Sequence, residues 1–108
     1  IEDVRLKLVA SGVDPGSIEV HVRIASPPIV GCCYYGIDTP EKAELVAAHQ
    51  STEEIARHIG ATSLAYLSHQ GLDAVAQEFG SPADFCHACF TGVYPTPYLV
   101  RSRRAGLQ

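Results

Sequence analysis

Apolar residues recur at helical spacing over the first eleven positions, where Ile1, Val4, Leu8 and Val9 are separated by charges and Gly12 follows as a stop. This predicts a helix. Val13 to Ser17 is dense in turn formers, and beyond it Ile18, Val20, Val22 and Ile24 alternate with Glu19, His21 and Arg23, the period of a half-buried strand. Ser26-Pro27-Pro28 ends the strand, because neither proline donates a ladder hydrogen bond. Thr39 before Pro40 has the order of an N-cap and first helical residue, and predicts a helix through Leu45, Val46 and His49. Ser51 and Glu54 form a capping box that starts a second helix, with Ile55 and Ile59 on one face and Gly60 closing it. Ser63 to Leu67 is an apolar run of strand length. Ser68 then caps a helix whose Leu72, Val75, Ala76 and Phe79 recur at i, i+3, i+4 and i+7, and Gly80-Ser81-Pro82 breaks it.

The order is helix-strand-helix-helix-strand-helix, followed by an irregular cysteine-bearing end. Two strands joined by a long helical crossover predict a right-handed βαβ unit with parallel strands, hence an α/β fold. Two strands alone make a poor sheet, and a parallel sheet needs cover on both faces. Neighbouring strands are therefore expected in another part of a larger protein. Ile1 in the first position agrees with a processed or excised piece.

Composition narrows the function classes. A chain of 108 residues with 46% hydrophobic content is the size of one small domain with a modest core of its own. The net charge of −4 leaves no broad phosphate-neutralising surface, so nucleic acid is not expected as a partner. Arg101, Arg103 and Arg104 make a short basic tail of the solvated kind. No apolar run approaches the ~20 residues of a membrane span, and no basic-then-apolar leader is visible. A cytoplasmic protein without a membrane partner is the expectation. In that setting four cysteines read as metal ligands or free thiols rather than disulfides.

Cys86-His87-Ala88-Cys89 is a C-x-x-C, a spacing that places two thiolates on one metal or cluster, or makes a redox pair. A redox pair belongs after a strand at a helix start, which is not the context here. Cys32 and Cys33 lie far upstream in a glycine-flanked loop, and adjacent side chains diverge, so only one of them is expected to join a shared site. Zinc and iron–sulfur both accept thiolates, and the pattern does not separate them. Four reduced, simply packed cysteines are the bland alternative. His21, His49, His58 and His69 fall on polar faces or first turns and read as solvated or locally bonded. His87 sits between two cysteines and reads as packed against the backbone. Glu53-Glu54 fits capping and the helix dipole, and Tyr34-Tyr35 a shield over the loop. No nucleophile elbow, phosphate-binding glycine loop or H-E-x-x-H is present, so no catalytic residue is singled out.

The strings Arg23-Ile24-Ala25-Ser26-Pro27-Pro28-Ile29, Cys33-Tyr34-Tyr35-Gly36-Ile37-Asp38-Thr39-Pro40 and Cys86-His87-Ala88-Cys89-Phe90-Thr91-Gly92-Val93-Tyr94-Pro95 carry a family resemblance. With Ser51-Thr52-Glu53-Glu54-Ile55 and Ser63-Leu64-Ala65-Tyr66-Leu67-Ser68 between them, residues 19–95 resemble the C-terminal part of the amidophosphoribosyltransferase family. The resemblance implies a C-terminal fragment of a type I phosphoribosyltransferase-like parallel sheet over residues 1–97, with a variable basic tail at 98–108. It implies that Cys33, Cys86 and Cys89 are three ligands of a structural, oxygen-sensitive 4Fe-4S cluster, with the fourth ligand before Ile1 and Cys32 unassigned. The family's glutaminase cysteine and its Mg²⁺-binding two-aspartate loop match nothing here. By this resemblance the parent is an enzyme and a homo-oligomer, its N-terminal remainder is the main partner, and this chain alone is inactive. Val13 to Ser17 reads as an insertion relative to the family, and Gly31-Cys32 departs from its usual lead-in. A free-standing zinc module on Cys32, Cys33, Cys86 and Cys89, or an interaction domain with reduced cysteines, are the competing readings.

Overall fold

Charge order favours the first helix, α1 (Glu2–Ala10), with Glu2 and Asp3 at its positive end and Lys7 in its last turn. Periodicity placed this helix correctly but did not provide cover for it. None of its residues is buried, and Val4 and Leu6 stand 55% and 58% exposed. Arg5 is its tether: the guanidinium donates to the carbonyls of Ile18 at 3.3 Å and Gly60 at 3.2 Å. The computed structural model describes residues 1–96, so the tail expected at 98–108 lies outside the described residues.

The alternating segment yields β1 (His21–Ile24), and the apolar run yields β2 (Ser63–Tyr66). They pair in parallel, with His21 opposite Ser63 and Ile24 opposite Tyr66, as the crossover argument requires. Bonds beyond the ladder extend the pairing at both ends, from Thr62 N–H to the Val20 carbonyl and from Leu67 N–H to that of Ile24. The described residues contain this two-stranded sheet and no wider one.

The crossover departs from the prediction. Thr39-Pro40 does not start an α-helix; two 3₁₀ turns, Lys42–Glu44 and Val46–Ala48, occupy that stretch. Glu41 takes the N-cap role, with its side chain and that of Glu44 closing a reciprocal box. The following helix, α2 (Thr52–His58), is capped as predicted. Ser51 Oγ accepts the Glu54 N–H at 3.2 Å, and the Glu54 carboxylate accepts the Ser51 N–H at 2.7 Å. Gly60 then turns the chain at φ 72°, a left-handed conformation that glycine adopts without a Cβ clash. These bonds carry a prediction: Ser51→Ala lowers stability by about 1 kcal/mol, read by denaturant unfolding. The backbone bond from Ser51, then its hydroxyl, holds the Glu54 carboxyl below its ordinary value of 4.5. A depressed folded value means this contribution is present above pH 4.5 and fades as pH falls through the folded value. Ser51→Ala should weaken that acid dependence, and an identical pH profile in wild type and variant would sink the account.

Ser68 Oγ accepts the Gly71 N–H at 3.0 Å and starts α3 (His69–Ala76) as predicted. Its apolar stripe is only partly used. Ala76 is buried, whereas Val75 is 53% and Phe79 79% exposed. A core of the chain's own was expected; the buried apolar residues are Leu45, Ile55, Ala56, Ala76 and Ala88, with Pro27 fully enclosed. Within the described part of the predicted irregular segment, short elements form. Ser81 and Asp84 cap a 3₁₀ turn at Pro82–Asp84, and α4 (Ala88–Thr91) follows.

Candidate metal centre

Two segments far apart in sequence meet here: the loop through Gly31 to Gly36, and the C-x-x-C that leads into α4. The join is made by backbone. The carbonyl of Cys89, in α4, accepts the N–H groups of Val30 at 2.9 Å and Gly31 at 3.0 Å. From the loop side, the carbonyl of Cys32 accepts the Tyr94 hydroxyl at 2.6 Å. Gly92 ends α4 at φ 74° and turns the chain so that Tyr94 comes back against the loop. There the Tyr94 ring meets Tyr34 edge-on with centroids 5.1 Å apart, and Tyr35 lies at 6.3 Å.

Within the loop the two adjacent cysteines diverge. Cys32 Sγ donates to the Pro40 carbonyl at 3.3 Å. Cys33 is held differently: its N–H donates to Thr39 Oγ1 at 2.9 Å, and its sulfur accepts the Tyr35 N–H at 3.4 Å. Thr39 thus serves the loop and not the helix start that its position before proline suggested. All four cysteines are free, Cys86 exposed and the other three half-buried. Burial pushes the Cys89 thiol above its ordinary value, and the charges of Cys33 and Cys86 push it further. The backbone bonds and these two charges bring the Cys33 loop against the segment that carries Cys86 and Cys89. A cation is what such a convergence favours, since it relieves both burial and mutual repulsion.

Among the described residues, no three His, Cys, Asp or Glu side chains stand close enough to form a closed metal-binding group. Cys33, Cys86 and Cys89 lie on the two segments that the backbone bonds join, without forming such a group. In donor chemistry they fit the thiolate-ligated centre expected from the sequence, at three of its four positions. His87 is no fourth donor to this group. Its ring packs towards α3, with Nδ1 3.8 Å from Asp73 Oδ1, while buried Nε2 has no hydrogen-bond partner. His87 also lines an open hollow of about 470 Å³, whose wall mixes Pro82, Phe85 and Val93 with Asp84, Cys86 and Thr91.

The remaining histidines behave as their positions suggested. His21 bonds Ser63 Oγ at 2.8 Å and Glu19 Oε2 at 3.2 Å, and His49 bonds the Lys42 carbonyl at 2.9 Å. What the sequence reading missed is the supporting cast. Gly31, Thr39 and Tyr94 stand in or beside the matching strings, but their role in joining the two segments shows only in three-dimensional contacts.

No family model matches the chain. Curated relatives do. It is 48% identical over 102 residues to amidophosphoribosyltransferase 1, chloroplastic, from Arabidopsis thaliana, covering 93% of this chain and 18% of that protein. It is 50% identical over 102 residues to the amidophosphoribosyltransferase of Synechococcus elongatus, covering 94% and 20% respectively. Among solved structures, the glutamine phosphoribosylpyrophosphate amidotransferase of Bacillus subtilis, complexed with ADP and GMP, superposes with a TM-score of 0.68. Identity there is 42%, over 92% of this chain and 22% of the other. No described helix is long and apolar enough to cross a membrane. The chain is thus homologous, across nearly its whole length, to a segment of the amidophosphoribosyltransferases that makes up about a fifth of such an enzyme.

Proposed function

We propose that this chain serves as the cysteine-bearing C-terminal segment of an amidophosphoribosyltransferase. That enzyme transfers glutamine-derived ammonia to phosphoribosyl pyrophosphate, giving 5-phosphoribosylamine in the first committed step of purine synthesis. The near full-length match at about half identity carries the reading. The role of this segment is scaffold and ligation. Its strands β1 and β2 extend the transferase sheet, and Cys33, Cys86 and Cys89 provide three thiolates for a 4Fe-4S cluster, the fourth coming from elsewhere in the enzyme. Such a cluster, when bound, acts as a structural cross-link between segments. The ammonia-releasing nucleophile and the Mg²⁺-dependent phosphoribosyl site belong to the remainder, which is the segment's principal partner in a homo-oligomeric cytoplasmic enzyme. A reducing compartment suits four unpaired thiols.

A segment exchange tests this. Residues 1–96, substituted for the matching segment of the Bacillus subtilis relative, should support glutamine- and phosphoribosyl pyrophosphate-dependent pyrophosphate release within about tenfold of the parent. A chimera that folds and assembles but releases none would overturn the assignment.

A further inference from the structure

We infer that Tyr94 and Gly31 form a clamp that positions Cys33 beside the C-x-x-C before any metal binds, an inference that rests on the three-thiolate reading above. Cys33 and Cys89 are separated by more than fifty residues, so the distance between their sulfurs is set by whatever holds the two segments together. Contacts between those segments do so, and they bracket Cys33 on both sides. Ahead of it, Val30 and Gly31 donate to the Cys89 carbonyl and Cys32 accepts from Tyr94 Oη. After it, Tyr34 and Tyr35 meet the Tyr94 ring, and Tyr35 Oη bonds Thr96 Oγ1 at 3.1 Å.

Tyr94 is the shared partner. Its hydroxyl occupies the space where a side chain at position 31 would begin: a Cβ built on Gly31 collides with Tyr94 Oη and lies 3.9 Å from the Cys89 carbonyl. Glycine is therefore needed at 31 for close approach and not for backbone conformation, since its φ lies outside the left-handed region. The hydroxyl then reaches the next carbonyl, at Cys32, and fixes the peptide that leads directly into Cys33. Thr39 and Tyr35 hold Cys33 from its own loop. None of these bonds involves a metal, so the ordering cost of bringing the third thiolate to the pair is already met in the fold. Tyr94 is on this account a positioning residue, acting through the backbone of Cys32.

Cadmium binding to the reduced, metal-free full chain tests the clamp, because thiolate-to-cadmium charge-transfer absorbance counts thiolates per metal. Wild type should show three, and Cys33→Ser two. Tyr94→Phe keeps the ring and its contact with Tyr34 but loses the hydroxyl; its absorbance should fall towards the Cys33→Ser value, with cadmium affinity about tenfold weaker. Gly31→Ala, which displaces the hydroxyl sterically, should move both readouts the same way. Three thiolates and wild-type affinity in both Tyr94→Phe and Gly31→Ala would overturn the clamp while leaving the metal reading intact. Two thiolates in wild type, unchanged by Cys33→Ser, would instead overturn the three-thiolate reading, and the clamp's purpose with it.

Discussion

Replacing Cys33, Cys86 or Cys89 singly by serine is expected to remove iron and acid-labile sulfide from the anaerobically purified protein, while Cys32→Ser leaves both in place. Serine is nearly isosteric but stays a neutral hydroxyl at physiological pH, so it cannot supply the soft anionic sulfur that iron–sulfur clusters take. The asymmetry between neighbours is the sharper part of the prediction. Cys32 is turned towards the Pro40 carbonyl, whereas Cys33 and Cys86 are the sulfurs whose charge reaches Cys89. Metal analysis with thiol counting on the same samples decides it. Equal loss from Cys32→Ser would contradict the assignment, and stoichiometric zinc without iron or sulfide would transfer it to the zinc reading.

The second large effect is on stability. Ile55→Ala should cost about 3 kcal/mol by denaturant unfolding, in the range for removing a buried aliphatic side chain and leaving a partial cavity. Ile55 is only 5% exposed and lies in the helix that packs on β2, so little neighbouring chain can collapse into the gap. Against a typical domain stability of about 5–15 kcal/mol this is a large fraction. Phe79→Ala is the matched comparison: at 79% exposure its removal should change stability by about 0.5 kcal/mol or less. A Phe79→Ala cost in the complete enzyme as large as that of Ile55→Ala would show that the remainder of the enzyme covers this face.

Signals confined to a few residues were legible without coordinates. Ser51 with Glu54, and Ser68 before Gly71, cap α2 and α3 as expected, because a cap joins groups three residues apart and needs no tertiary partner. The alternation of β1 and the length of the crossover were enough to give parallel pairing. Thr39-Pro40 failed for the opposite reason. The Thr39 hydroxyl bonds Cys33, six residues back, and the stretch beyond it settles into two 3₁₀ turns capped from Glu41. Helical period also mispriced burial: Leu72, Val75, Ala76 and Phe79 define a stripe, yet a stripe is buried only where another element lies against it.

The cysteines divide along the same line. The sequence determined that a C-x-x-C was present, that side chains at 32 and 33 would diverge, and, through its matching strings, which family the chain resembles. Only the tertiary structure decided that the loop carrying Cys33 docks on the C-x-x-C segment, while Cys32 Sγ turns to the Pro40 carbonyl. That docking depends on backbone bonds to Cys89 and on the Tyr94 hydroxyl filling the space beside Gly31, contacts between residues more than fifty positions apart that no local pattern encodes.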